Sequence, residues 1–221
     1  SDKFFDINVD PNNPSEATPA LVLPSATAGT AYVLGGYYQS LGAYWTQQYA
    51  QSAAASQWAE WESYNLTEDD LNRQFTTLYA GALKDYEYVR TASSASSNWS
   101  YYAIATLMQA YTYQVLADLY DKVPFKEALK GTEFIQPHYD DGTIIYDSLL
   151  SRIDYAMSKD FTVSSSQNPG TSDLIFGGNM DNWKKFANTL KLKIYLRYVN
   201  VDANKYKTKI QQLLTENNFL T

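Results

Sequence analysis

Hydrophobic residues recur along this chain at intervals of three and four, the spacing that lines one side of an α-helix, and no run of strict alternation suggests a half-buried strand. The clearest stripe is Leu71, Phe75, Leu78, Ala82, Tyr86 and Val89. It is introduced by Thr67-Glu-Asp-Asp70, a capping-box-like start with acids in the first turn, and closed by Arg90. A small-residue linker, Ser93 to Ser97, leads to a second segment opened by Asn98. There Ile104, Leu107, Met108, Tyr111, Val115 and Leu119 share a face, and Ala103, Ala110 and Ala117 are thin enough for close helix approach. This helix must stop before Val123-Pro124, because the residue ahead of a proline is pushed out of helical geometry. Two helices and a short linker predict an antiparallel hairpin.

The same spacing predicts further helices. Thr18-Pro19 is a cap and first-position pair, Pro24 kinks the helix or marks its proper start, and Gly35-Gly36 ends it. A second helix is predicted from Tyr37 to about Ser52, with Tyr38, Leu41, Trp45 and Gln48 on one face. Thr143 to Ser158 carries Tyr146, Leu149, Leu150, Ile153 and Met157. From Asp173 a loop ends in two glycines, and the helix after it is apolar on two sides: Trp183, Phe186, Ala187, Leu190 and Ile194 against Leu192, Leu196 and Val199. Such a helix is expected to be packed between neighbours. Asp202 is expected to cap a last helix with Tyr206, Ile210, Leu213 and Leu214 inward. Asp121 to Asp141 and Phe161 to Gly170 are irregular connections. The sum, about seven helices without a sheet, predicts an all-α fold of stacked, tetratricopeptide-like helix hairpins with long loops. Clean self-similarity at roughly 34 residues is lacking.

With 221 residues, one compact unit is expected. Apolar residues at 45% and charged residues at 19% are globular values, and no apolar run approaches the ~18 residues of a membrane helix. A net charge of −7 and a pI near 4.7 argue against nucleic acid as a partner. Eight of the 17 Lys and Arg residues fall between Lys184 and Lys209, with Asp202 the only acid. That stretch is either a surface for an anionic partner or a solvated flank. No cysteine is present, which excludes disulfides and thiol chemistry. The start at Ser1-Asp-Lys-Phe-Phe has no leader-like run, so any targeting segment is expected to have been removed.

Candidate chemistry is sparse. Trp58, Trp61 and Tyr64 lie among Ser, Gln, Ala and Glu without the apolar partners of a buried stripe. Either they are exposed, their rings covering the C–H face of a sugar while Gln57 or Glu60 takes its hydroxyls, or Trp58 and Trp61 pack on the core. The candidate ligand-binding set is therefore Gln57, Trp58, Glu60, Trp61 and Tyr64. Asp6-x-Asn8-x-Asp10 imitates the start of a calcium loop, but Pro11 and Ala17 occupy positions where glycine and a bidentate Glu belong. The lead-in, residues 1–17, is expected to be extended and ordered by Asx turns. The single histidine, His138, has no second histidine or nucleophile beside it. Glycoside hydrolysis needs two acids flanking the bond, whereas a cap accounts for Asp69 and Asp70 and a turn for Asp140 and Asp141. Neither enzymatic activity nor a metal or other cofactor is expected.

Three segments carry a resemblance: Asp6-Ile-Asn-Val-Asp-Pro-Asn-Asn-Pro14, Leu116-Ala-Asp-Leu-Tyr-Asp-Lys-Val-Pro-Phe-Lys-Glu-Ala-Leu129, and the stretch from Asp173 to Arg197. In this order the chain resembles the SusD/RagB-like lipoproteins of Bacteroidetes. The resemblance implies a tetratricopeptide-like scaffold, a surface-exposed outer-membrane location through a lipid anchor on a cysteine ahead of this start, and an oligosaccharide ligand. It also implies delivery to a TonB-dependent, SusC-like transporter. Residues 1–221 would be the N-terminal scaffold region, the family's C-terminal part being absent. One departure stands out: where the family commonly has Gly-Asp-Val-Pro, this chain has Asp121-Lys122-Val123-Pro124. A scaffold for a peptide or protein partner is the alternative.

Overall fold

Asn98, Ser97 and the residues around them show how this chain ends one helix and begins the next. Ser97 takes φ 54°, Asn98 N–H bonds back to Ser93 O at 2.8 Å and Ser97 N–H to Ser94 O at 3.2 Å. This is a Schellman closure, in which a left-handed residue turns the chain so that its amides satisfy the last free carbonyls. The computed structural model describes residues 17–67 and 69–220. The Asp6-x-Asn8-x-Asp10 pattern and the lead-in up to residue 16 lie outside the described residues.

Among the described residues the chain forms seven helices. Helix α1 covers residues 19–45, as Pro19–Val33, a π-helical segment Leu34–Tyr38, and Gln39–Trp45. One turn, α2, covers Ala59–Glu62. Helix α3 covers residues 72–95, with a second π-helical segment at Thr77–Leu83. Then come α4 (Trp99–Tyr120), α5 (Gly142–Met157), α6 (Met180–Arg197) and α7 (Lys207–Glu216). Gly35-Gly36 therefore does not end a helix. The widened π turn absorbs both glycines, and α1 runs through to Trp45, short of the expected Ser52. Pro24 also sits inside α1.

Helix α4 is the pillar of the fold, in contact with α1, α3, α5 and α6. Its predicted face is too narrow a description. Ile104, Leu107 and Met108 are buried, but so are Ala105, Tyr113 and Leu116 on other sides, while Leu119 is exposed. Helices α1 and α3 also lie close together: an added Cβ at Gly29 of α1 would make ordinary contact with Ala82 Cβ of α3, at 3.5 Å. Buried hydroxyls cross the layers, with Thr30 3.1 Å from the Tyr86 hydroxyl and 3.2 Å from Thr112 Oγ1. Each satisfies a polar atom that burial would otherwise penalise. Helix α1 packs on α3, and from α3 onward each helix packs on the next, the tetratricopeptide-like stacking expected.

The connection after α4 holds a feature the residue pattern did not reveal. Lys122–Pro124 (β1) and Tyr139–Asp141 (β2) pair antiparallel, Lys122 opposite Asp141. Strands of three residues are too short to show alternation. Asp121 enters this hairpin at φ 62°, a conformation suited to the glycine that the family commonly has there.

The Asp173 to Arg197 stretch is built around one carboxylate. Buried Asp173 accepts from Ile175 N–H (3.0 Å), Phe176 N–H (3.2 Å), Gly178 N–H (2.8 Å) and the Trp183 indole N–H (2.7 Å). Gly178, at φ 82°, comes so close to Asn168 that an added Cβ would lie 1.9 Å from its side-chain oxygen. Asn179 then caps α6, its side chain accepting from Asp181 N–H and Asn182 N–H.

Three further expectations need correction. The second apolar side of α6 is only partly covered, since Leu192 packs on the core while Leu196 and, past the end of the helix, Val199 are exposed. Asp202 does not cap a helix: it accepts from Asn204 and Lys205 N–H in an Asx turn, α7 begins at Lys207, and Leu214 points outward. In the predicted Thr67 box only half forms, Asp70 accepting from Thr67 N–H at 2.6 Å, and α3 starts at Asn72.

Candidate functional site

Where α1 ends, seven aromatic rings gather around the loop to α3. The end is made without glycine: Gln47 takes φ 58°, its N–H bonds to Tyr44 O at 2.9 Å, and Gln48 N–H bonds to Ala43 O at 2.9 Å. The short α2 ends in the same way, with Tyr64 at φ 60°, its N–H on Trp61 O at 3.1 Å and Asn65 N–H on Glu60 O at 2.8 Å. Both are Schellman closures, and both place a bulky residue where glycine is usual. The two are fastened together. Gln47 Nε2 donates to the Tyr64 hydroxyl at 3.1 Å, and that hydroxyl donates to Trp45 O at 3.2 Å.

Below this clasp lies an inner layer. Trp61 is 5% exposed, its indole N–H donating to Asp70 Oδ1 at 3.2 Å. Trp58 is half-buried, 4.5 Å from the Trp61 ring and edge-on to Tyr37 at 6.0 Å, and its backbone N–H donates to Gln51 Oε1 at 2.9 Å. Hydrogen bonds from Thr67 and then the Trp61 indole hold the Asp70 carboxyl below the usual carboxylate range. Above the clasp, Trp45 and Tyr64 stand 42% and 52% exposed with ring centroids 5.9 Å apart, and Tyr49, packed on Tyr44, is 51% exposed.

The five candidate residues thus divide. Gln57, Glu60 and Tyr64 face solvent, Trp58 is half covered, and Trp61 is core and offers no ring face. The alternative reading of the tryptophans, as packing residues, describes Trp61. The spacing missed Trp45 and Tyr49. Trp45 was expected on the inner face of a longer helix, and the end of α1 at that residue turns it outward. The rings and amides that face solvent suit an apolar sugar face bordered by hydroxyls.

Other candidates resolve as structure. His138 is a surface residue, Nδ1 2.8 Å from Glu127. In the basic stretch, Lys184 pairs with Asp181, Lys191 with Asp154, Arg197 with Asp118 and Lys205 with Asp147. Half of its eight cations are thus neutralised within the fold. A separate apolar cleft of about 400 Å³ lies between α1, α4 and the loop before α6, lined by Ala28, Ala31, Leu34, Met108, Tyr111 and Ile175. Among the described residues, no helix is long and apolar enough to cross a membrane.

Comparison with known proteins gives this geometry a context. No protein of curated function matches the sequence. Among solved structures, the chain is similar to a chitin-binding protein, with a TM-score of 0.75 and 22% identity over 92% of this chain and 44% of that one. It is also similar to a SusD-like protein of Bacteroidetes AC2a, with a TM-score of 0.70 and 22% identity over 93% and 38%. A SusD homolog from Bacteroides uniformis gives a TM-score of 0.54 and 23% identity over 66% and 30%. The chain spans less than half the length of each. The SusD-like family described as starch-binding and associating with the outer membrane matches residues 11–221, and the chain belongs to that family.

Proposed function

We propose that this chain is the helical scaffold of a cell-surface protein that binds oligosaccharides, holds them at the outer membrane through a lipid anchor, and passes them to a TonB-dependent, SusC-like transporter. The observation that carries this is the exposed ring pair of Trp45 and Tyr64, 5.9 Å apart and locked by the Gln47 clasp. Family membership and the chitin-binding neighbour support a glycan as the ligand. Stacking and a few amide hydrogen bonds give weak affinity and fast release, which suits delivery rather than storage. Binding and transfer require no bond to be made or broken, so the reading assigns no catalytic residue. Isothermal titration of the whole protein against plant, host and microbial glycans tests binding, and co-purification with the transporter tests delivery.

A second reading, a scaffold for a peptide or protein, is favoured by the apolar cleft beside Met108 and Tyr111. It predicts silence across the glycan panel and binding of peptides that is lost on Ala31→Arg.

A further inference from the structure

We infer that the ring platform selects uncharged oligosaccharides against those bearing carboxylate or sulfate groups, a selectivity that rests on the oligosaccharide-binding reading above. From Phe4 to Asn72 the sequence contains no Lys, Arg or His. All three parts of the platform, the end of α1, the loop after it and α2, come from this cation-free stretch. Acids occupy it instead. Glu60 is exposed on the single turn of α2, and its carbonyl accepts from Asn65 N–H at 2.8 Å, which holds it against the closure that carries Tyr64. Glu62 accepts from Gln51 N–H at 3.2 Å and is exposed beside it. Asp69 and Asp70 follow at the entrance to α3, and Arg73 on the first turn of that helix is the first cation the chain reaches.

Recognition of an anionic sugar uses cations, above all the paired donors of arginine. Here a carboxylate or sulfate stacked over Trp45 and Tyr64 would meet the field of Glu60 and Glu62 on α2, which reaches over a Debye length of about 8 Å at physiological salt. It gains only amide donors in return. An uncharged sugar feels none of this repulsion and keeps the stacking. Like-charge exclusion of this kind sets specificity more than affinity.

The test is affinity electrophoresis of the whole protein in gels that contain soluble starch, glycol chitin or xyloglucan, followed by the carboxymethylated form of whichever polysaccharide retards it most. The expected result is at least a five-fold weaker retardation by the carboxymethylated polymer at low salt. Added salt narrows that gap, and Glu60→Lys narrows it by a factor on the order of five. Equal retardation by the two forms overturns the inference and leaves oligosaccharide binding intact. A gap that Glu60→Lys leaves unchanged also overturns it, because the exclusion is then steric or set by the net charge of −7 on the whole chain. Absence of retardation by any neutral polymer removes the underlying reading, and this inference with it.

Discussion

Gln47 and Tyr64 close two different helices in the same left-handed conformation, and a 3.1 Å hydrogen bond from Gln47 Nε2 to the Tyr64 hydroxyl joins the two ends. A bulky residue at φ near 60° costs about 1 kcal/mol relative to glycine. Here the ring of Tyr64 against Trp45 and its two hydrogen bonds offset that cost. The same side chain thus fixes the loop and presents a ring to solvent.

Replacing Tyr64 by glycine separates these roles. Removal of backbone strain and loss of the ring contacts nearly cancel, so unfolding free energy changes by less than about 1 kcal/mol. Oligosaccharide affinity falls about ten-fold, the equivalent of one lost stacking contact of roughly 1.4 kcal/mol. Chemical denaturation and titration calorimetry on the same preparation measure both.

Trp61→Ala behaves in the opposite way. The ring is core, and its removal costs about 3–5 kcal/mol. Any loss of ligand binding accompanies a lower unfolding midpoint, whereas Trp45→Ala, at a half-exposed ring, lowers affinity with little change in stability.

Asp173 is the strongest single determinant of the loop ahead of α6. Asp173→Ala leaves three backbone amides and the Trp183 indole without their acceptor. The expected cost is about 3 kcal/mol or more, seen as a fall in Tm of roughly 6–12 °C by calorimetry.

Acid destabilises this fold through Asp147. Burial alone would raise its carboxyl, but Lys205 and the hydroxyls of Tyr198 and Tyr206 outweigh burial and hold it below the usual range. A depressed folded-state value means that the stabilisation is fully present above the unfolded carboxyl's pKa, about 4. It is lost as pH falls through the lower, folded value. Asp147→Asn is expected to be less stable at pH 7 and to show a flatter stability profile below pH 4, as followed by denaturant midpoints across pH.

Much of the architecture was legible in the residues. The stripes of α3, α4 and α5 announced helices because each buries a continuous side against a neighbour. Helix ends were not, because Gln47, Tyr64 and Ser97 take the stop position that glycine normally marks, while Gly35-Gly36 sits inside a π turn. At the site, Tyr64, Gln57 and Glu60 face solvent as their polar neighbours suggested. Trp61 does not, because its cover includes Tyr37 on α1 and Asp70, contacts between elements that helical periodicity does not encode. The exposure of Leu196 on α6 and of Val199 just past its end was equally hidden, since a stripe records apolarity and not what covers it.

The most direct measurement is calorimetric titration of the whole protein and its Trp45→Ala form with the tightest-binding neutral oligosaccharide, alongside their unfolding midpoints. The account predicts at least a ten-fold loss of affinity, about 1.4 kcal/mol, with midpoints that agree within a few degrees. Affinity unchanged within a factor of two would contradict it.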